Sequence, residues 1–230
     1  MRVTIIDHHM LFADSLSLVL EDEGYVVSEV EPWQPDACLA GILAKSLRSA
    51  ARLVLLDESL GRLGDSTRLI APLAASGAAV VVLVESDGRD RWGRVLEQGA
   101  RGVLHKACTL DEVVATAERV RDGVPLMSPA ERAALVASAR AEREERRAIR
   151  ARLGRLTRRE SEILGALMTG ATVGEIARAS FVSQATVRTQ VKAILAKLET
   201  SSQLAAVGAA HRVGWQPPAP VAGDGHARFG

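Results

Sequence analysis

Five short apolar runs, Val3 to Ile6, Tyr25 to Val27, Leu53 to Leu56, Val80 to Val84 and Gly102 to Leu104, punctuate the first half of the chain. The segments between them are amphipathic and long enough for helices, so strand and helix alternate. Runs that are apolar on both faces, rather than alternating in and out, suit strands covered by helices on each side, which is the condition of a parallel sheet. Five such units, the last closed by the helical segment Thr109 to Arg121, predict a doubly wound five-stranded parallel sheet. Right-handed crossovers leave few other topologies.

This α/β half is not the whole chain. With 230 residues, 47% of them hydrophobic, there is material for two cores. From Ser128 the pattern becomes helical and charge-dense over Pro129 to Arg152, where Glu142 and Arg146 stand at the favourable i,i+4 spacing. Few positions there are apolar, so a solvated connecting helix is expected, with a dimerising helix or a brace on DNA phosphates as the alternative. Beyond it, an all-α region precedes a tail containing Pro217, Pro218, Pro220, Gly223, Gly225 and Gly230, which is too poor in apolar residues to order itself. The expected organisation is thus 1–124 for the α/β domain, 125–154 for the helical charged linker, 155–214 for the helical domain and 215–230 for a disordered tail. Charge divides along the same line: the chain through Met127 carries 13 Lys+Arg against 19 Asp+Glu, a net −6, and the rest carries 16 against 9, a net +7. A basic half is the electrostatic footprint of something that meets a polyanion.

Within the basic half, helix starts are marked locally. Thr157-x-x-Glu160 and Thr172-x-x-Glu175 are capping boxes, Ser183 is placed to cap a helix Gln184 to Leu198, and Gly170 stands where the first of these helices must stop. In Gln184 to Leu198, the residues Val187, Val191, Ile194, Leu195 and Leu198 form one apolar stripe. The opposite face carries Ala185, Arg188, Thr189, Lys192, Ala193 and Ala196, with Gln190 and Lys197 on its flanks and no acid. Alanines let the backbone approach a duplex, long cations reach bases or phosphates, and no carboxylate repels them, which is what a major-groove helix requires.

The stretch Leu156-Thr-Arg-Arg-Glu-Ser-Glu-Ile-Leu, followed by Gly170, Glu175-Ile-Ala, Val182-Ser, Thr186-Val-Arg and Ile194-Leu-Ala-Lys-Leu, closely resembles the LuxR-type helix-turn-helix of NarL/FixJ response regulators. The resemblance implies a four-helix domain in which Gln184 to Leu198 is the recognition helix and Ser201 to Val213 makes a homodimer contact. It implies DNA contacts from Arg188, Thr189 and Lys192, with Ser183, Thr186 and Lys197 alongside. Gln190 is a further expected DNA contact, at a position where a His is common.

In a doubly wound sheet, ligands meet the carboxyl ends of the strands. Asp7 ends the first expected strand, Asp57 the third, and Lys106 follows the fifth, so three charged residues from distant parts of the chain converge on one edge. The segments around Ile5-Ile-Asp-His-His, Val54-Leu-Leu-Asp-Glu-Ser and Gly102-Val-Leu-His-Lys resemble the flavodoxin-like receiver domain of the same family, over roughly residues 1 to 122. That resemblance implies a phosphoacceptor at Asp57, a Mg²⁺ site using Asp7 and Asp57, and a phosphate-pairing cation at Lys106. Three positions depart from it. His8 replaces a second acid, and Mg²⁺ prefers hard oxygen ligands. Val84 stands where a hydroxyl is usual and cannot donate a hydrogen bond. Val103 replaces the usual aromatic. The acceptor is present while the parts that read its phosphorylation are missing, so the expected regulator works independently of phosphorylation, with no cofactor required and Mg²⁺ at most weakly held.

Two alternatives stay open: a conventional regulator activated by phosphorylation of Asp57 through a sensor histidine kinase, and a protein-interaction module that does not bind DNA. An unknown ligand is a further partner for the first domain. A hydrolase or other enzyme at the Asp7/Asp57/Lys106 edge lacks a nucleophile and base at recognisable spacing, so no enzyme is expected. Cys38 and Cys108 form no C-x-x-C pair, which argues against a zinc or redox motif. No apolar stretch approaches the ~20 residues of a membrane span, and the first residues run straight into a strand, so a cytoplasmic protein with no membrane partner is expected.

Overall fold

A computed structural model describes residues 1–86 and 88–218. The chain divides into two compact units, Met1–Glu142 and Arg143–Gly230.

The first unit alternates β1 (Arg2–Ile6), α1 (Met10–Asp22), β2 (Val26–Val30), α2 (Leu39–Ser49), β3 (Leu53–Asp57), α3 (Ile70–Ala75), β4 (Ala79–Val84), α4 (Arg89–Glu97), β5 (Gly102–His105) and α5 (Leu110–Arg121), with two short 3₁₀ turns between β3 and α3. The strands pair in parallel in the order β2-β1-β3-β4-β5. Alternate residues of the central strands feed two cores. Val3, Ile5, Leu53, Leu55, Val81 and Leu83 pack with α1 and α5, while Ile6, Val54, Leu56, Val80, Val82 and Val84 pack with α2, α3 and α4. This is why the central runs read as continuously apolar. The second strand lies one register later than the expected Tyr25 to Val27: it is an edge strand whose exposure alternates, and Ser28 and Glu29 hide its continuation from a search for apolar runs.

A 25-residue helix, α6 (Pro129–Leu153), follows. It is not the solvated spacer expected of it. Leu135 and Ala139, one turn apart, are buried at 3% and 1% exposure. Leu135 joins the core beneath α4, and Arg132 donates to the carbonyls of Leu96 and Ala100 at 2.7 and 2.8 Å, satisfying acceptors at the end of α4. Near the other end, Ile149 and Leu153 belong to the core of the second unit. The apolar residues of α6 are sparse, yet each pair sits at helical i,i+4 spacing and so falls on one face.

The second unit contains α7 (Arg158–Met168), α8 (Val173–Ala179), α9 (Gln184–Leu198) and α10 (Gln203–Arg212). Both Thr capping boxes form, and Ser183 caps α9. Val187, Val191, Ile194 and Leu198 are buried, with Leu195 packed against them, among Ile163, Leu164, Ile176, Ala206 and Ala210. The turn between α8 and α9 places Phe181 in the left-handed region at φ 54°, a conformation that costs a bulky side chain energy. Trp215, expected to open a disordered tail, packs against this core instead, because an indole buries more apolar surface than any neighbour in the tail. The expectation for 219–230 lies outside the described residues. No helix among the described residues is long and apolar enough to cross a membrane.

The contact between α4 and α6 is close enough to test by one methyl group. A Cβ on Gly93 would stand 2.1 Å from the Leu135 carbonyl oxygen and 2.7 Å from the Ala139 Cβ. Gly93→Ala is therefore expected to lose about 1–3 kcal/mol of stability through overpacking, read by urea unfolding. An unchanged midpoint would show that α6 does not rest on α4.

Candidate functional site

The parallel order puts the ends of β1 and β3 side by side, with the residue after β5 beyond β4. Asp7 and Asp57 are 1% and 2% exposed, and the Lys106 ammonium lies 2.8 Å from an Oδ2 of each. It also stands 3.1 Å from Asp7 Oδ1 and 3.0 Å from His9 Nδ1, with its charge 5.3 Å from the centre of the Phe12 ring. Three sequence-predicted residues are thus brought together. Burial pushes the Asp7 carboxyl above its ordinary range, against the opposing pull of Lys106, and the charge of Asp57 adds to the rise.

The departures are placed as follows. His8 Nδ1 is 2.6 Å from Asp57 Oδ2, the same oxygen that faces Lys106, while Oδ1 accepts the Ser59 backbone N–H at 3.2 Å. Both oxygens of the Asp57 carboxylate are engaged. Val84 is fully buried at the end of β4 and offers no donor, and Val103 is half-buried against the α4-side core without an aromatic ring. A cleft of about 500 Å³ lies beside Asp57, lined by Glu58, Thr67, Glu85 and Arg91 among others. Asp7 also accepts the His9 backbone N–H at 2.8 Å, a turn-forming role alongside its charge. His9 is the participant that sequence reasoning did not place. Its adjacency to His8 just after a strand end was the available signal.

This donor set fits Mg²⁺ poorly. Mg²⁺ asks for near-octahedral oxygen ligands, whereas here an imidazole nitrogen occupies the place of an acid.

In the second unit, Arg188, Thr189 and Lys192 are exposed on the outer face of α9, with Ala185 and Ala196 beside them. Arg188 donates to the neighbouring Gln184 Oε1 at 3.2 Å, and neither Arg188 nor Lys192 forms an ion pair among the described residues. Gln190 is half-buried. The Thr189 hydroxyl donates to the Ala185 carbonyl, and the hydroxyls of Ser183 and Thr186 bond each other at 2.9 Å while Ser183 caps the helix. Lys197 requires a correction. Its ammonium is 2.6 Å from Glu160 Oε2, and Glu160 is only 4% exposed. A buried carboxylate needs a counter-charge, so Lys197 serves the core of its own domain rather than an outer surface.

A receiver-type sheet with an acidic pocket at its carboxyl edge, followed by a helix-turn-helix with a cationic outer face, defines a class: the transcriptional response regulators. The luxR family of bacterial regulatory proteins matches residues 154–210. Over 203 residues the chain is 30% identical to the transcriptional regulatory protein MctR of Rhizobium johnstonii, covering 86% of each. Over 210 residues it is 25% identical to a nitrate/nitrite response regulator protein homolog of Haemophilus influenzae, covering 90% of this chain and 94% of that one. A solved structure of the Salmonella typhimurium RcsB response regulator is similar over 90% of this chain and 96% of that chain, with 20% identity and a TM-score of 0.49. The chain belongs to the NarL/FixJ family of response regulators with a LuxR-type helix-turn-helix, and it is a DNA-binding transcriptional regulator of the two-component type.

The Glu160–Lys197 pair yields a pH-dependent prediction. Burial raises the Glu160 carboxyl, but the Lys197 ammonium and the Thr157 donors outweigh burial and hold the group below its ordinary value of 4.5. A depressed carboxyl contributes stability that is fully present above 4.5 and lost as pH falls through the lower folded value. Glu160→Gln is expected to cost about 1–3 kcal/mol at neutral pH and to remove this component of acid destabilisation. Thermal unfolding followed between pH 7 and pH 3 checks both, and parallel curves for the two proteins would contradict the assignment.

Proposed function

We propose that the chain binds paired DNA half-sites as a cytoplasmic homodimer, with α9 in the major groove, and that its receiver-like domain works without phosphorylation of Asp57. The observation that carries the DNA interface is the outer face of α9: Arg188 and Lys192 exposed with no ion pair among the described residues, Ala185 and Ala196 beside them, and no acid on the face. Long cations over a small-residue surface can approach base edges and phosphates without an internal partner to release. The homodimer contact is assigned to α10, where Leu204 stands 81% exposed, with half-sites about one helical turn apart. No catalytic turnover is assigned.

Phosphorylation independence rests on Asp57. A phosphoryl group arriving on Oδ2 has to displace the His8 contact at 2.6 Å, and neither Val84 nor Val103 supplies a hydroxyl or ring to relay the new charge. The domain then acts as a constitutive dimerisation module or as the receptor of another ligand or partner, and needs no Mg²⁺.

Two measurements test this. In fluorescence anisotropy on a footprinted operator, Arg188→Ala and Lys192→Ala are each expected to cost about 1–3 kcal/mol of binding and to flatten the salt dependence by about one unit of slope. Unchanged affinity in both would remove the interface. Incubation with a small phosphodonor and Mg²⁺ is expected to leave operator affinity unchanged. A stable aspartyl phosphate on Asp57 that tightens DNA binding would restore the conventional, kinase-driven reading.

A further inference from the structure

The cluster that fits Mg²⁺ poorly has the composition of a different metal site. Asp7, His8, His9 and Asp57 each present one donor atom, and these four atoms lie within 4.8 Å of one another. The donors are two imidazole nitrogens and two carboxylate oxygens. A tetrahedral Zn²⁺ centre with ligands at about 2.0–2.2 Å sets its donors about 3.3 Å apart. The separations here are 2.6 Å for His8 Nδ1 to Asp57 Oδ2, 3.2 Å for His9 Nδ1 to Asp7 Oδ1, and 3.9 Å for His9 Nδ1 to Asp57 Oδ2. These three pairs bracket that value, and with all four donors within 4.8 Å of one another side-chain rotation has to draw the wider pairs inward to close the shell.

Two further observations bear on this place. Asp7 and Asp57 are 1% and 2% exposed, and a single ammonium, that of Lys106, stands 2.8 Å from an Oδ2 of each, so one positive charge faces two buried carboxylates. Second, the His8 ring is cradled by a glycine: a Cβ on Gly61 would stand 3.1 Å from the His8 Cδ2, and Gly61 has φ 59°. The ring is therefore held beside Asp57 by backbone geometry that a larger residue would disturb.

We propose that Asp7, His8, His9 and Asp57 form a binding site for a borderline divalent cation of the Zn²⁺ type, selected against Mg²⁺ by the two imidazoles. Lys106 is the internal competitor. Its ammonium sits within 2.8–3.1 Å of Asp7, Asp57 and His9, holding with one positive charge the donors that the metal takes with two. Metal entry moves Lys106 off these donors and breaks the His8–Asp57 hydrogen bond, so the ion exchanges one arrangement of the carboxyl edge for another. The absence of a C-x-x-C motif bears on cysteine ligation alone, and this site uses no cysteine. The proposal goes beyond the DNA-binding reading, which stands or falls separately on Arg188 and Lys192.

The test uses the full-length chain carrying Cys38→Ser and Cys108→Ser, so that thiols cannot bind the probe. Co²⁺ is titrated as a spectroscopic substitute, followed by competition with Zn²⁺ and Mg²⁺. The expected result is one Co²⁺ per chain with the intense visible band of tetrahedral geometry, displaced by stoichiometric Zn²⁺ and retained in a roughly 1,000-fold excess of Mg²⁺. His8→Ala and His9→Ala are each expected to weaken Zn²⁺ binding at least about tenfold. Lys106→Met is expected to tighten it, since the competing charge is gone, which no chance site elsewhere on the surface would do. A weak octahedral spectrum, an affinity unchanged in the His8→Ala/His9→Ala double variant, or displacement by comparable Mg²⁺ would each overturn the proposal. Operator binding measured on the same variants separates loss of metal from loss of fold.

Discussion

Two carboxylates buried side by side at the carboxyl edge of a parallel sheet set the terms for the whole first unit. Asp7 and Asp57 are both almost inaccessible, and one ammonium, that of Lys106, faces them both. Burial, with the charge of Asp57 adding to it, raises the proton affinity of Asp7, and a single positive charge stands against two carboxylates. The remaining demand is met by hydrogen bonds: His8 and the Ser59 amide on Asp57, the His9 amide on Asp7. The Asp57 carboxylate is thus tied down by neighbours that the sheet topology brings in from three separate strand ends.

That tying-down has a consequence for signalling. A phosphorylation switch needs a bistable element that reads the added charge. Here the end of β4 offers a buried valine, β5 offers Val103, and the far side of α4 is covered by α6 through Gly93, Leu135 and the Arg132 bonds to Leu96 and Ala100. The surface to which a displaced α4 would speak is already packed within the unit. A domain packed in this way changes arrangement only when a ligand or modification supplies interaction energy that distinguishes the two states.

Much of this was legible in the sequence, and the reasons are physical. Central strands buried on both faces leave apolar runs that cannot be missed, and capping boxes announce helix starts because the backbone itself demands the donors and acceptors they supply. The stripe from Val187 to Leu198 fixed which way α9 turns. What stayed hidden depended on partners distant in sequence. The edge strand β2 continues through Ser28 and Glu29, which only the pairing with β1 explains. The docking of α6 uses four apolar residues in a helix dominated by charge. Lys197 looked like a free flank cation because nothing local reveals that Glu160, 37 residues earlier, is buried and waiting for it. His9 was visible as a residue but not as a participant, since its role is set by the meeting of β1, β3 and the segment after β5.

The pairing of Lys197 also bears on how the cationic face of α9 arises. In the second unit, the acids neighbouring α9 have local partners: Glu160 holds Lys197, Glu162 meets Arg158 and Arg159, Glu199 meets Arg152, and Glu145 meets Arg212. Each pair cancels at short range, so it contributes little to the field a few ångströms outside. Arg188 and Lys192 have no such partner among the described residues and stand on a face of α9 that carries no acid, with Ala185 and Ala196 beside them, so on that face the positive charge reaches outward uncancelled.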